Sequence, residues 1–360
     1  MRENKISVLQ KRILEILRVL IETPTPTGKE RRLYKFLSLI LERAGFKIEV
    51  QKVPGGFSNL IARRGESNLL MCTHIDTFPV FSHSDLYKLR MRKRNLTGRG
   101  VIDAKGQIAS LLVALENTQA PCQIALTSGE EEEAIGSKFL EVQANEGVVL
   151  EPTNLSLCLF QAGAIEIEVN VRGKAAHGSL PREGENAILK AFGVYQALER
   201  LSFLKLTHPY FPEGGWINLG KIEGGEDIMV VPDHCTFQAD IGVLPGVSID
   251  EAVREVKAVI AKSGASVNFR DISPPVEIDP QLRVVRILRR SFKKVTGKEP
   301  EVEVMPSWTD AENLFQKGIS CVVFGAGKLS LAHSDYESVS LDELGTLSLI
   351  LINLLRLWEE

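Results

Sequence analysis

A chain of 360 residues, 44% hydrophobic and 25% charged, has the make-up of a folded globular protein, and its length calls for two domains rather than one. A formal charge of -3 and a pI near 6.2 give no global attraction to nucleic acid or to an acidic membrane, so neither is expected as a partner. The five cysteines are scattered with no Cys-x-x-Cys pair, the pattern of reduced thiols in a cytoplasmic protein.

In chain order, Ile6, Leu9, Ile13, Ile16 and Leu20 recur at helical spacing between charges, which describes an amphipathic helix and not a signal peptide. The run Thr-Pro-Thr-Pro-Thr-Gly at 23–28 breaks it, and Thr27 with Glu30 can box the start of a second helix that runs to Gly45. Strand-like runs follow at 46–50, 58–64, 68–74, 122–128 and 147–152, with helical stretches at 105–117 and 134–142 between the later ones. That alternation predicts an α/β layer with a partly parallel sheet. The basic stretch 88–95 alternates cations with apolar residues like a solvated hairpin, the other reading being a contact for an anionic substrate group.

From about residue 160 the rhythm changes. Strand 164–173, helix 184–202, strands 214–222 and 235–244, helix 249–262 and strand 265–271 give the order β-α-β-β-α-β of a ferredoxin-like sandwich. Residues 160–273 thus read as a small domain inserted between 1–159 and 274–360. The last part resumes with helix 282–295, strand 319–327 and a final helix behind a Ser340–Glu343 capping box; its Thr346, Asn353 and Arg356 mark a core helix, not a membrane span.

The chemistry-bearing residues fall at strand ends. His74 and Asp76 are two apart at a strand tip, so they lean to the same side, and a carboxylate there can fix the imidazole tautomer. Taken alone, such a pair is more often a satisfied hydrogen bond than a ligand set. Asp103 follows a glycine turn, where helix N-capping is its ordinary role. Glu130 and Glu131 open an acidic run that reads equally as a solvated helix start. Glu151 follows an apolar strand directly, at the position where parallel sheets hold ligands. His333 lies on the loop after strand 319–327. Two histidines and three carboxylates on one rim suit a pair of divalent ions bridged by a single carboxylate at about 3.5–4 Å.

With "THIDTFPV" (73–80), "GRGVIDAKG" (98–106), "TSGEEEEAIGS" (127–137), "LEPT" (150–153), "GKAAHGSLPREGENAI" (173–188) and "AHSDYES" (332–338), the chain resembles the co-catalytic di-zinc amidohydrolases that include aminoacylase, acetylornithine deacetylase, succinyl-diaminopimelate desuccinylase and glutamate carboxypeptidase. The resemblance covers nearly the whole chain. It implies a zinc-peptidase-like α/β/α catalytic domain with an inserted ferredoxin-like (βαββαβ) dimerisation and lid domain. It also implies amide hydrolysis in N-acyl amino acids or small peptides, the alternatives being a dipeptidase or carboxypeptidase of the same family or a catalytically idle binding relative. His74 would bind one ion with Asp76 behind it, and Asp103 would bridge both. Glu131 and His333 would bind the second ion, Glu151 the first, and Glu130 would be the general base. The ions would be zinc first, with cobalt or manganese as alternatives. His177 would donate to the oxyanion from the opposite subunit of a homodimer joined through the inserted domain, and Arg182 is a candidate substrate contact. Three positions depart from the family. Met229 and Gly242 stand where many members carry the Asn and Arg that clamp a substrate carboxylate, and Gly129 replaces the usual Asp before the paired glutamates.

Overall fold

The computed structural model describes residues 2–81 and 84–360 and shows a mixed α/β protein of two compact units. One comprises Met1–Leu159, Ile278–Glu303 and Thr309–Glu360; the other comprises Phe160–Glu277 and Val304–Trp308.

The larger unit is built on a central sheet whose middle is parallel. Strands Cys122–Thr127, Leu69–His74, Glu146–Val149 and Ser320–Val323 lie side by side and point the same way. The first two are buried at every residue, as strands covered on both faces must be, which is why they read as apolar runs without alternation. Antiparallel Ser58–Arg64 and then Lys47–Lys52 extend the sheet past Cys122–Thr127. Lys47–Lys52 is largely exposed and charged, the usual protection of an edge strand.

Helices Arg2–Glu22, Lys105–Glu116 and Leu341–Glu359 pack on one another, and Lys105–Glu116 also packs on strand Leu69–His74. Leu9, Ile13, Ile16 and Leu20 are buried, each such side chain contributing about 1.5–3 kcal/mol relative to exposure; the side chain of Ile6 lies outside the described residues. Residues 90–97 form the expected hairpin, and Ser338–Ser340 adds a third strand to it.

The smaller unit has the order β-α-β-β-α-β, and its antiparallel sheet runs Ile217–Gly224, His234–Val243, Gly163–Arg172, Ser266–Ser273. Ile165, Ile167, Val169 and Val171 face the helices Ala187–Leu198 and Ile249–Lys262, while Glu166, Glu168 and Asn170 face away. Asn186 and Ser248 cap the two helices through their side chains.

Three local expectations change. Thr27 and Glu30 do not form a capping box: helix Arg31–Arg43 starts without a side-chain cap, Glu30 accepts from the Gly28 amide, and the Thr27 hydroxyl donates to Asp76. Ser340 does cap its helix, but Glu343 accepts from the Gly327 amide instead of closing the box. The helix expected over 134–142 is a single turn, Ile135–Lys138, entered through left-handed Ala134. Gly136 lies so close to Ser128 that a Cβ would sit 2.4 Å from its carbonyl oxygen, so the acidic run is folded back on the strand end and is not free to continue as a helix.

Gly106 is a similar constraint beneath Asp103. Its amide donates to the Gly100 carbonyl at 3.1 Å, and a Cβ there would lie 2.0 Å from Val101 O. Gly106→Ala is expected to lower stability by about 1–3 kcal/mol through overpacking, read as a lower midpoint in urea unfolding. An unchanged midpoint would mean that the 98–103 loop yields freely.

Candidate metal centre

The four parallel strands end on one rim, and the residues singled out in the sequence lie at or just beyond those ends. His74 is the last residue of its strand; Glu130 and Glu131 follow Thr127; Glu151 follows Val149; His333 comes from the loop beyond Val323. Asp103 arrives from the turn before helix Lys105–Glu116. It does not cap that helix, whose cap residue is Ala104.

Asp103 holds the cluster together by facing a different histidine with each oxygen. Oδ1 lies 2.9 Å from His74 Nε2, and Oδ2 lies 3.2 Å from His333 Nε2. His333 Nε2 is also 2.8 Å from Glu131 Oε2, and His74 Nε2 is 3.8 Å from Glu151 Oε1. Two groups result, His74–Asp103–Glu151 and Asp103–Glu131–His333, and in each the candidate ligand atoms lie within 4.8 Å of one another. Of the acidic run it is Glu131 that joins these groups.

The electrostatics are those of a site short of positive charge. Burial opposes a charge on His74, yet Glu130, Glu151 and the hydrogen bond to Asp103 outweigh it and hold the imidazole well above its ordinary pKa. The hydrogen bonds of His333 to Asp103 and Glu131 raise it to about 10. Burial also opposes ionisation of Asp103, but His333 and His74 overcome it and hold the carboxyl below its usual range. Burial, reinforced by the neighbouring acids, pushes Glu130 and Glu151 well up. Glu151 Oε1 is fully buried and has no hydrogen-bond partner among the described residues. An orphaned carboxylate oxygen and two imidazole nitrogens, gathered on one shared acid, fit a pair of divalent cations.

Asp76 is placed differently from the expectation. His74 Nδ1 is 3.0 Å from the Asp76 main-chain carbonyl and 3.6 Å from its carboxylate, so the backbone oxygen takes the imidazole N–H. The carboxylate instead accepts the amides of Glu130 and Glu131, each at 3.2 Å, and the Thr27 hydroxyl at 3.0 Å. One fully buried aspartate therefore orients His74 through its backbone and the two glutamates through its side chain.

Several buried groups escaped the sequence reading. Lys105, with no exposed surface, donates to the carbonyls of Leu20 and Thr23 at the end of the first helix, and burial lowers its pKa to about 7. Asp310 accepts the Thr127 hydroxyl at 2.6 Å beneath the strand that leads to Glu130. Its only sequence signal is its place after a capping threonine, Thr309. Arg99 and Glu337 form an ion pair at 2.8 Å, exposed by 3% and 1%.

In the smaller unit His177 and Arg182 are exposed. His177 Nδ1 accepts the Ser179 amide at 3.2 Å, which leaves the ring proton on Nε2. Met229 is exposed, and its main-chain oxygen accepts the Gly178 amide at 2.6 Å. Gly242 lies under the Trp216 indole, where a Cβ would fall 2.4 Å from ring carbons.

A family model described as peptidase family M20/M25/M40 matches residues 70–357. An acetylornithine deacetylase from Myxococcus xanthus is 32% identical over 336 residues, 84% of this chain and 86% of that one. The crystal structure of the aminopeptidase PepT from Bacillus cereus matches with a TM-score of 0.83 at 20% identity, over 98% of this chain and 99% of the other. A dinuclear metal-binding peptidase of the M20 family from Bacillus subtilis matches at 0.73 and 15% identity, over 98% and 99%. Because the family match runs from the strand that carries His74 to the final helix, the chain belongs to the M20/M25/M40 peptidases and is a metal-dependent hydrolase of amide bonds.

Proposed function

We propose that the chain hydrolyses the amide bond of N-acyl amino acids or small peptides with two divalent ions, His74 and Glu151 holding the first, Glu131 and His333 the second, and Asp103 bridging them. The observation that carries this reading is the split of Asp103 between two histidines, one on each oxygen. Mixed nitrogen and oxygen donors favour zinc, with cobalt and manganese as the alternatives. When bound, such ions would lower the pKa of a bound water to about 7 and polarise an amide carbonyl.

The protein's own residues do the rest. Glu130 takes the proton of the attacking water and delivers it to the leaving nitrogen. Asp76 keeps Glu130 and Glu131 in register by gripping their amides. His177, with its proton on Nε2, is the donor for the tetrahedral oxyanion, supplied from the opposite subunit of a homodimer. Pairing through the inserted domain is supported by exposed Leu189 and Phe192 on one helix and by the outer strand Ile217–Gly224, which has a sheet neighbour on one side. Five free buried cysteines support a cytoplasmic location.

The substrate end distant from the scissile bond is read as neutral or apolar. Met229 and the indole over Gly242 occupy the two places where a carboxylate clamp is expected from the family resemblance. In the hairpin, Lys88 and Arg90 are engaged by Asp85, and Arg94 by Asp342 and Gln10. Arg92, Lys93 and Arg182, all exposed, remain the candidates for any anionic group.

Chelation is expected to abolish hydrolysis, and about two equivalents of zinc to restore it, since three carboxylates and two imidazoles exceed the donors one tetrahedral ion takes. Full activity at one equivalent, with no response to a second, would rule out the two-ion reading.

Glu130→Gln should lose activity by a factor of about 10²–10⁴ while binding metal like the parent, whereas Glu131→Ala should lose one equivalent. Exchanged phenotypes, scored by metal content and turnover on the same samples, would shift the roles by one residue.

Amidating the substrate's free carboxylate should reduce kcat/KM by less than about tenfold; a drop of about a thousandfold, some 4 kcal/mol of transition-state binding, would reveal a strong clamp.

A further inference from the structure

The two candidate ion groups are carried by different kinds of scaffold. His74 ends a fully buried parallel strand, and the segment leading to Glu151 is tied to the neighbouring strand by the Leu150 amide on Cys72 O at 2.8 Å. The second group has no such ladder at Asp103 or His333. Both come from loops, 98–103 and 332–337, that leave the small sheet side by side where Ser338 pairs with Thr97.

These loops are joined by one carboxylate. Glu337 Oε1 accepts the amides of Gly100 at 2.9 Å, Ile102 at 3.1 Å and Asp103 at 3.4 Å, and Oε2 accepts Arg99 Nη1 at 2.8 Å. Arg99 Nη2 then donates to the His333 carbonyl at 3.0 Å, which holds that residue in its left-handed conformation, φ 61°. Phe78 closes the frame from the other side. Its ring stacks on the His333 imidazole with centroids 4.3 Å apart and planes 10° from parallel, and its amide donates to Glu131 Oε1 at 2.7 Å. The Arg99 guanidinium carbon lies 5.8 Å from the same ring. Every residue of the Asp103–Glu131–His333 group is thus gripped by this frame.

We infer that Glu337, acting through Arg99 and together with Phe78, is a positioning residue that sets the affinity of the second ion and reaches the first only through the shared Asp103. The inference rests on the two-ion reading above. The chemistry behind it is general: partners outside the ligand shell fix ligand orientation, and their loss typically costs 10–100-fold in metal affinity, roughly. A glutamine at 337 keeps the shape but turns an N–H₂ group or an uncharged oxygen toward the guanidinium and the three amides, so the clasp loses its charge-assisted bonds.

The test is a zinc titration of metal-free full-length protein against a chromophoric chelator, for the parent, Glu337→Gln and Phe78→Leu, with thermal unfolding of each metal-free sample alongside. In Glu337→Gln the second equivalent should bind about 10–100-fold more weakly and the first, which shares only Asp103 with the frame, by no more than about threefold, with activity returning as zinc is raised. Phe78→Leu should weaken the second equivalent alone, by about threefold to tenfold. If Glu337→Gln fails to fold, Phe78→Leu carries the same test, because it removes only the stacked ring. Parent-like affinity for both equivalents, or equal weakening of both, overturns the inference. A parent that itself binds one equivalent instead overturns the two-ion reading, and the two failures are told apart in the parent titration.

Discussion

Three carboxylates, Asp103, Glu131 and Glu151, have been brought to the rim of one sheet, and mutual repulsion in a desolvated setting is the constraint to which the surrounding structure answers. The neighbouring acids hold His74 and His333 above the ordinary imidazole range, burial holds Glu151 up, and the two histidines hold Asp103 down. A fold that needed only stability would replace such a group with apolar side chains, since buried charges are weak sources of stability. Retaining it makes sense when dications supply the missing charge, and the Asp103 carboxylate, shared oxygen by oxygen, is where both would meet.

The sequence revealed most clearly what obeys local rules. Buried parallel strands show as apolar runs, so 58–64 and 68–74 were placed to within a residue of Ser58–Arg64 and Leu69–His74. The inserted β-α-β-β-α-β order was legible because strands such as Gly163–Arg172 and His234–Val243 alternate and the two helices start at polar caps, Asn186 and Ser248. Among the candidate ligands, Glu151 stands out by position alone, as an acid directly after an apolar strand, whereas His74, Asp103, Glu131 and His333 have ordinary local readings and are singled out by the motifs of the family resemblance.

What could not be read is what depends on partners distant in the chain. Thr27 and Glu30 have the spacing of a capping box, but the threonine hydroxyl goes to Asp76, 49 residues away. Asp76 has the spacing to brace His74 by its side chain, but its carboxylate is taken by the amides of Glu130 and Glu131. Arg99 and Glu337 look like two surface charges, yet they are a buried pair 238 residues apart. Short spacing offers each polar group a local partner; the folded chain chooses among all partners, and buried groups take whichever leaves fewest donors and acceptors unmet.

Gly242 shows the same logic applied to recognition. In the sequence it reads as a lost arginine, a hole where a guanidinium might have been. In the folded unit there is no hole, because the Trp216 indole lies over the glycine and its N–H reaches Asp240 at 3.3 Å. Any side chain at 242 would have to displace that ring, so restoring the arginine means giving up the indole. An aromatic face carries negative quadrupolar charge and accepts apolar or cationic groups, whereas a guanidinium fork grips a carboxylate in two bonds. Glycine at 242 is thus the residue that lets the ring settle there.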